Sequence, residues 1–263
     1  MKYETPKAVI AFFGIDRRLD ITAPTIIEKI IEPAKQYFEV TLAAHLWAID
    51  SINNPRSREH GDVSTPRLSL LPEGDYYIEE PPCPQTQADY KRLRNYGDFW
   101  GDNFSSLSNL YAQLISLKQV TQLAMQHQPE YVIFVRPDLL YHDSLAAPLQ
   151  EAAKSDGTGI WLPHWQPHGG LNDRFAICRG EAAIRAYGQR IDGAIDFCKA
   201  SHKPLHAEKL LQFSLRSITV YKIANRASRV RIDGRIKTED FSLHGWKSAL
   251  REKLGSIKRM LQK

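Results

Sequence analysis

Apolar positions along this chain fall into two kinds of block. Short unbroken runs, AVIAFF at residues 8–13, VTLAAHLWAI at 40–49, YVIFV at 131–135 and GIWLP at 159–163, are bounded by glycine, proline or charge. A short apolar run without alternation is the mark of a strand covered on both faces, as in a parallel sheet. Longer stretches between the runs repeat their apolar positions every three or four residues. Ile26, Ile27, Ile30, Ile31 and Ala34 share one face of a helix starting near Pro24, with Thr22 or Thr25 as N-cap and Pro33 bending or ending it. Leu107, Leu110, Tyr111, Leu114, Leu117, Thr121 and Ala124 predict a helix over 105–127. Weaker patterns predict helices at 145–153, 181–198 and 206–215, and strands at 175–178 and 218–223.

Strands alternating with helices predict the α/β class: a single domain over residues 1–243 with a mostly parallel central sheet flanked by helices. A chain of 263 residues, 43% hydrophobic, is long enough to bury one such core. Residues 53–104 interrupt the rhythm with Pro, Gly, Asn and charge, offering only a strand-like piece at Tyr76 to Ile78. They read as a long irregular insertion, of the kind that is functional or mobile. No internal repeat is visible.

The formal charge of +5 changes meaning once it is located, because residues 244–263 hold six Lys or Arg and one Glu. The remainder is close to neutral and carries no RNP or zinc-finger spacing, which argues against a nucleic-acid partner. In the tail, Trp246, Leu250, Leu254, Ile257 and Leu261 form a stripe flanked by Lys247, Arg251, Lys258 and Arg259. That is a basic amphipathic C-terminal helix, suited either to docking on a protein surface or to lying on an anionic membrane. Lys2 and Glu4 break the signal-peptide pattern and no run reaches eighteen apolar residues, so a cytoplasmic protein is expected, with the tail offering peripheral contact to the inner membrane face. Cys83, Cys178 and Cys198 have neither the number nor the spacing of a disulfide framework or a zinc site.

Ligands in open α/β sheets bind beyond the carboxyl ends of strands, so polar residues following apolar runs are the candidates. Gly14 with Asp16, Arg17 and Arg18 is the first such group: a close backbone approach with guanidinium forks for phosphate, or a plain turn with solvated arginines. The second is Arg136-Pro137-Asp138, which suits a divalent cation, a ribose or a diphosphate, and equally a surface ion pair. A third, Gly169 to Phe175, brings Asn172, Asp173 and Arg174 together, for sugar hydroxyls or for an Asx turn. Glu208 opens the helix at 206, where it either faces a substrate or complements the helix dipole. A P-loop, a nucleophile elbow, a zincin helix and the kinase loops are all missing, which removes weight from hydrolases and kinases.

In chain order these pieces resemble a family of bacterial glycosyltransferases of GT-A-like fold that build polysaccharide, lipopolysaccharide or related glycans. The pattern is an apolar strand then G-x-x-R (Gly14, Arg17), a strand ending H-x-W (His45, Trp47), a helix with Q-x-x-S (Gln113, Ser116), a strand ending R-x-D (Arg136, Asp138), N-D-x-F (Asn172, Asp173, Phe175), and a helix opened by His206 and Glu208. It spans residues 8–223 and leaves out 53–104 and everything after 224.

The resemblance implies a nucleotide-diphosphate sugar donor and a glycan or lipid-linked acceptor. Gly14, Arg17, Gln113, Arg136, Asp138 and Asn172 would line the donor, and Asp138 would stand where the last carboxylate of D-x-D holds Mn2+ or Mg2+. Arg136 departs from D-x-D, and its fixed positive charge offers to assist or replace the metal. Asp173 or Glu208 would act as general base, and in-line attack would then invert the anomeric carbon; a retaining mechanism stays open should neither reach the acceptor hydroxyl. Two other classes stay open: a non-catalytic nucleotide-sugar-binding or scaffold protein of the same fold, and a sugar nucleotidyltransferase. The latter would need a glycine-rich basic loop after the first strand, where GIDRRLD has one glycine.

Overall fold

The computed structural model describes residues 5–57, 59–63 and 65–242, so the amphipathic helix read in 244–263 lies outside the described residues. From the N-terminus, β1 (Lys7–Gly14) leads into α1 (Leu19–Ile26), which runs through a π-helical turn (Ile27–Ile31) into α2 (Glu32–Lys35) and returns as β2 (Glu39–Trp47). Next come β3 (Ser51–Asn54), β4 (Glu59–Asp62), β5 (Asp75–Glu79) and α3 (Ala88–Arg94). The central part holds α4 (Ser105–Gln126), β6 (Tyr131–Val135), β7 (Leu139–Tyr141), α5 (Ala146–Lys154) and β8 (Gly159–Pro163). The chain continues with β9 (Ala176–Arg179), α6 (Glu181–Gly188), α7 (Ala194–Ser201), α8 (Ala207–Ser214), β10 (Thr219–Ile223) and β11 (Ala227–Arg229).

Seven strands form one sheet in the order β10-β8-β9-β6-β1-β2-β5. All neighbours are parallel except β9, which runs antiparallel to both β6 and β8. Helices cover both faces, which is why the central strands are apolar without alternation. Ala8, Ile10 and Phe12 of β1 pack on the side of α1, α2 and α5, while Val9, Ala11 and Phe13 pack on the side of α4 and α6. The mostly parallel, helix-flanked sheet expected from the sequence is therefore present, with β9 as its one reversed strand.

Three local expectations change. The first helix starts five residues early, at Leu19, because the Asp16 carboxylate accepts the Leu19 N–H at 2.7 Å. Thr22 and Thr25 lie inside that helix instead of capping it. The helix also survives Pro33: the ring removes the N–H that would bond the Lys29 carbonyl, the π-turn opens at this point, and that carbonyl accepts the Leu145 N–H at 2.8 Å instead. Lastly, the strand-like piece at Tyr76 to Ile78 is present as β5, and it pairs in parallel with β2 as an edge strand of the main sheet, so 53–104 is more ordered than an irregular insertion. Being short, charged at both ends and mostly exposed, β5 lacks the apolar run that betrays a central strand.

Candidate functional site

β1 is followed on one side by β2 and on the other by β6, so the chain changes direction across the sheet between β1 and β6. At such a switch point the loops leaving the two strands diverge and open a crevice. Gly14 closes β1 with φ of +101°, a conformation that a side chain disfavours. Its N–H donates to Ser116 Oγ at 2.8 Å, and that hydroxyl donates to the His45 carbonyl at 2.6 Å, so α4 ties together the ends of β1 and β2. His45 itself is buried with Nε2 at 2.6 Å from Glu79, and Trp47 Nε1 donates to the Ala112 carbonyl at 2.8 Å. The H-x-W pair is thus satisfied packing beneath the crevice.

Arg17 and the Arg136-Pro137-Asp138 turn meet across the switch point. Asp138 is buried, its side chain 2% exposed, and both its oxygens are taken: Arg136 Nε reaches Oδ1 at 2.9 Å, Arg136 Nη2 reaches Oδ2 at 2.8 Å, and Arg17 Nη1 also bonds Oδ2. Burial alone would raise its pKa, but Arg136 and Arg17 override that and hold the carboxyl well below the usual range. Arg136 in turn donates through Nη1 to Gln113 Oε1 at 3.2 Å, which places the expected Gln113 in the same group. Thr22 Oγ1 donates to the Pro137 carbonyl at 2.6 Å, so α1 fixes the turn from below.

The donor set around Asp138 does not fit a divalent cation. Such an ion wants several hard oxygens about 2.0–2.6 Å away, yet this carboxylate is bracketed by two guanidiniums. Among the described residues no three His, Cys, Asp or Glu side chains converge into a metal-holding group. The metal-ligand expectation for Asp138 therefore meets an arginine-bound carboxylate.

The 164–175 loop and the start of α8 form the opposite wall. Asn172 bonds within the loop itself: Nδ2 donates to the Trp165 carbonyl at 2.5 Å and Oδ1 accepts the Arg174 N–H at 3.0 Å. These bonds fold the loop, and each uses only part of the amide's hydrogen-bonding capacity. Asp173 is buried, held by Arg190 Nη2 at 3.4 Å, while Tyr187 Oη donates to its backbone carbonyl at 2.9 Å. Glu208 stands beside it, with the side chain 17% exposed and Oε2 at 3.3 Å from His206 Nδ1. Burial, reinforced by the charge of Asp173, pushes the Glu208 carboxyl up to about 8. His206 is driven the other way, to about 4, by burial and by Lys209 and His168, so it is neutral near pH 7.

Gly170 lets the two pieces of this wall touch. A Cβ there would fall 2.1 Å from the Glu208 carbonyl oxygen, the same oxygen that accepts the Leu171 N–H at 3.0 Å. Gly170→Ala is expected to cost about 1–3 kcal/mol in urea unfolding by overpacking. Gly157→Ala, with no atom within 4 Å of the added Cβ, serves as the neutral control.

Sequence reading missed part of the group. Glu59 on β4 accepts Arg231 Nη1 at 2.8 Å and the Ile232 N–H at 3.1 Å, and lies 3.1 Å from Arg17 Nε. Glu239 accepts Arg229 Nε at 2.9 Å, Gln166 Nε2 at 2.9 Å and Arg174 Nη1 at 3.3 Å, with Lys237 Nζ at 3.2 Å. Burial opposes its ionisation, but Arg174 and Arg229 win and hold it at about 2. The near-neutral composition of the body concealed this segregation of guanidinium groups. One signal was available: Arg229 and Arg231 alternate in ASRVRIDGR, which puts both on one face of an extended segment.

No known family profile and no curated protein matches the chain. Among solved structures it is similar to mouse xyloside xylosyltransferase 1 in its apo form, at 12% identity and TM-score 0.43 over 82% of this chain and 84% of the other. The mannosyltransferase Ktr4p from S. cerevisiae aligns at 9% identity and TM-score 0.46, over 80% of this chain and 65% of that one. A putative glucose-1-phosphate thymidylyltransferase from Bacillus anthracis aligns at 7% identity and TM-score 0.40, over 85% and 89%.

Proposed function

We propose that the chain transfers a sugar from a nucleotide-diphosphate donor to a hydroxyl of a glycan or lipid-linked acceptor, in a GT-A-like fold. One observation carries this reading: beyond the ends of β1 and β6, the guanidiniums of Arg17 and Arg136 lie within electrostatic reach of a group that holds Glu208, a partly exposed carboxylate whose proton affinity is raised into the working range. The two groups are close enough for their charges to act on each other: Asp173 acts on Arg136, and Arg229 lowers the Glu208 pKa against its burial.

In this reading Arg17 and Arg136, with Gly14 at the strand end, face the donor diphosphate. Glu208 is the general base, in preference to Asp173, because the Asp173 carboxylate is ion-paired with Arg190 while Glu208, the more exposed of the two side chains, has a pKa near operating pH. The acceptor hydroxyl gives its proton to Glu208 as its oxygen bonds the anomeric carbon. The bond from that carbon to the diphosphate oxygen breaks, and the guanidiniums take up the charge on the departing nucleoside diphosphate. Attack from the face opposite the leaving group inverts the centre.

A panel of nucleotide sugars incubated with the protein tests this. Release of nucleoside diphosphate from one donor, lost in Glu208→Gln, is the expected result. Release of pyrophosphate would instead mark a nucleotidyltransferase, and a donor that stabilises the protein without turnover would mark a binding protein.

A further inference from the structure

Three buried carboxylates near the switch point are engaged by arginine side chains. Asp138 is bracketed by Arg136 and Arg17, Glu59 by Arg231 and Arg17, and Glu239 by Arg229 and Arg174. These carboxylates grip the guanidiniums by one edge: Arg229 through Nε and Arg231 through Nη1. A guanidinium held in this way is oriented in advance, and its remaining N–H groups match the spacing of oxyanions. Arg17 Nε is buried and ion-paired with Glu59 Oε1 at 3.1 Å without forming a hydrogen bond to it.

The segment after β10 completes the group. β11 pairs antiparallel with β7, and the Val230 N–H donates to the Asp138 carbonyl at 2.9 Å. Arg229 and Arg231 flank Val230, so this bond brings both of them beside the Arg17–Asp138–Arg136 cluster; the charge of Arg229 is felt by Asp138.

We infer that Arg17, Arg136, Arg229 and Arg231 form an oxyanion site for the donor diphosphate that works without a divalent cation, and that half of it is supplied by residues 227–231. This rests on the proposed function for the identity of the diphosphate, but the site stands on its own geometry. The arginines do what a metal would do: they neutralise the diphosphate on binding and stabilise the charge that collects on it as the glycosidic bond breaks. A metal would have to pull Asp138 out of two charge-assisted pairs, while an anion needs only the N–H groups that those pairs leave over.

The experiment is a calorimetric titration of inorganic pyrophosphate into the full chain, in EDTA and again with excess Mn2+, for the wild type, Arg229→Gln and Arg231→Gln. Thermal unfolding first establishes that each variant is folded, and Arg229→Lys and Arg231→Lys, which keep the charge and lose the fork, serve if a glutamine variant is not. The expected dissociation constant agrees within about threefold between the two buffers and weakens about tenfold or more in each variant, as for a lost charge-assisted fork. Tenfold tighter binding with Mn2+, unchanged binding in the variants, or no pyrophosphate binding in either buffer overturns the inference. Sugar transfer seen only with Mn2+ would overturn it and keep the transferase reading. Metal-free pyrophosphate binding by a protein inert to every nucleotide sugar would keep the site and remove the transferase.

Discussion

Glu208→Gln is expected to abolish transfer and at the same time to make the protein harder to unfold. Loss of a general base costs about 100- to 10,000-fold in rate. The stability gain follows from what folding does to this carboxyl. Burial and the neighbouring Asp173 lift its pKa from the ordinary carboxylate value, about 4.3, to about 8. Below pH 4 both folded and unfolded chains hold the proton, and the side chain is neutral to stability. Between pH 4 and 8 the unfolded chain releases a proton that the folded chain keeps, so stability falls as pH rises, by at most about 1.4 kcal/mol per pH unit. Gln removes that loss. The variant should match the wild type near pH 4 and exceed it by on the order of 2 kcal/mol at pH 7, with relaxation around the site trimming the upper limit. Urea unfolding at pH 4, 6 and 8 reads this directly. Wild-type transfer should climb with pH toward about 8 as the base loses its proton. A variant that transfers within a few-fold of wild type, or that is the less stable of the two at pH 8, would rule Glu208 out of this role.

The parts of the fold that could be read from sequence are those where one physical demand dominates. Between helices on both faces a strand must be apolar at every position, so β1 and β6 announced themselves, and the 22-residue α4 did so through its buried stripe. Where two demands competed, the sequence was ambiguous. Pro33 signals a break, but a carbonyl that loses its helical partner needs only some donor, and the one it finds, the Leu145 N–H, comes from 116 positions along the chain. β7 and β11 are three residues each, too short for any periodicity to stand out.

The candidate site was half legible for a related reason. Strand ends mark where a crevice must open, so Arg17, Arg136 and Asp138 could be found, and local spacing brought in Asp173 and Glu208. Whether a residue faces the crevice is decided by distant partners. Asn172 has the chemistry of a ligand, and its amide also folds the loop through Trp165 and Arg174. Glu59 and Glu239 look like ordinary surface acids in sequence, and only the folded chain brings Arg17, Arg229, Arg231 and Arg174 onto them. A charge balance summed along the chain averages away a cluster whose members lie far apart in sequence.

Asp138→Asn carries the second large effect, and it is expected in stability before activity. The side chain is almost wholly enclosed and answers two guanidiniums. Asn retains one oxygen and turns an amide N–H2 toward a cation, leaving buried positive charge without its partner, a defect that costs about 3–5 kcal/mol. The same balance gives the wild type an acid-labile element. Because folding depresses the Asp138 pKa, its contribution is fully present above about pH 4, near the unfolded value, and drains away as pH falls toward the folded one. Urea unfolding of Asp138→Asn should therefore show its full deficit at pH 7 and a shrinking one toward pH 2. Inactivity of this variant would say nothing about a metal, since misplacement of Arg136 and Arg17 suffices. Adding Arg17→Gln to Asp138→Asn separates the causes: removing one of the two stranded cations should recover part of the lost stability, whereas two independent defects would add. A deficit below about 1 kcal/mol in the single variant, in the range of an exposed ion pair, would mean that Asp138 is not clamped as described, and its carboxylate would again be open to a cation.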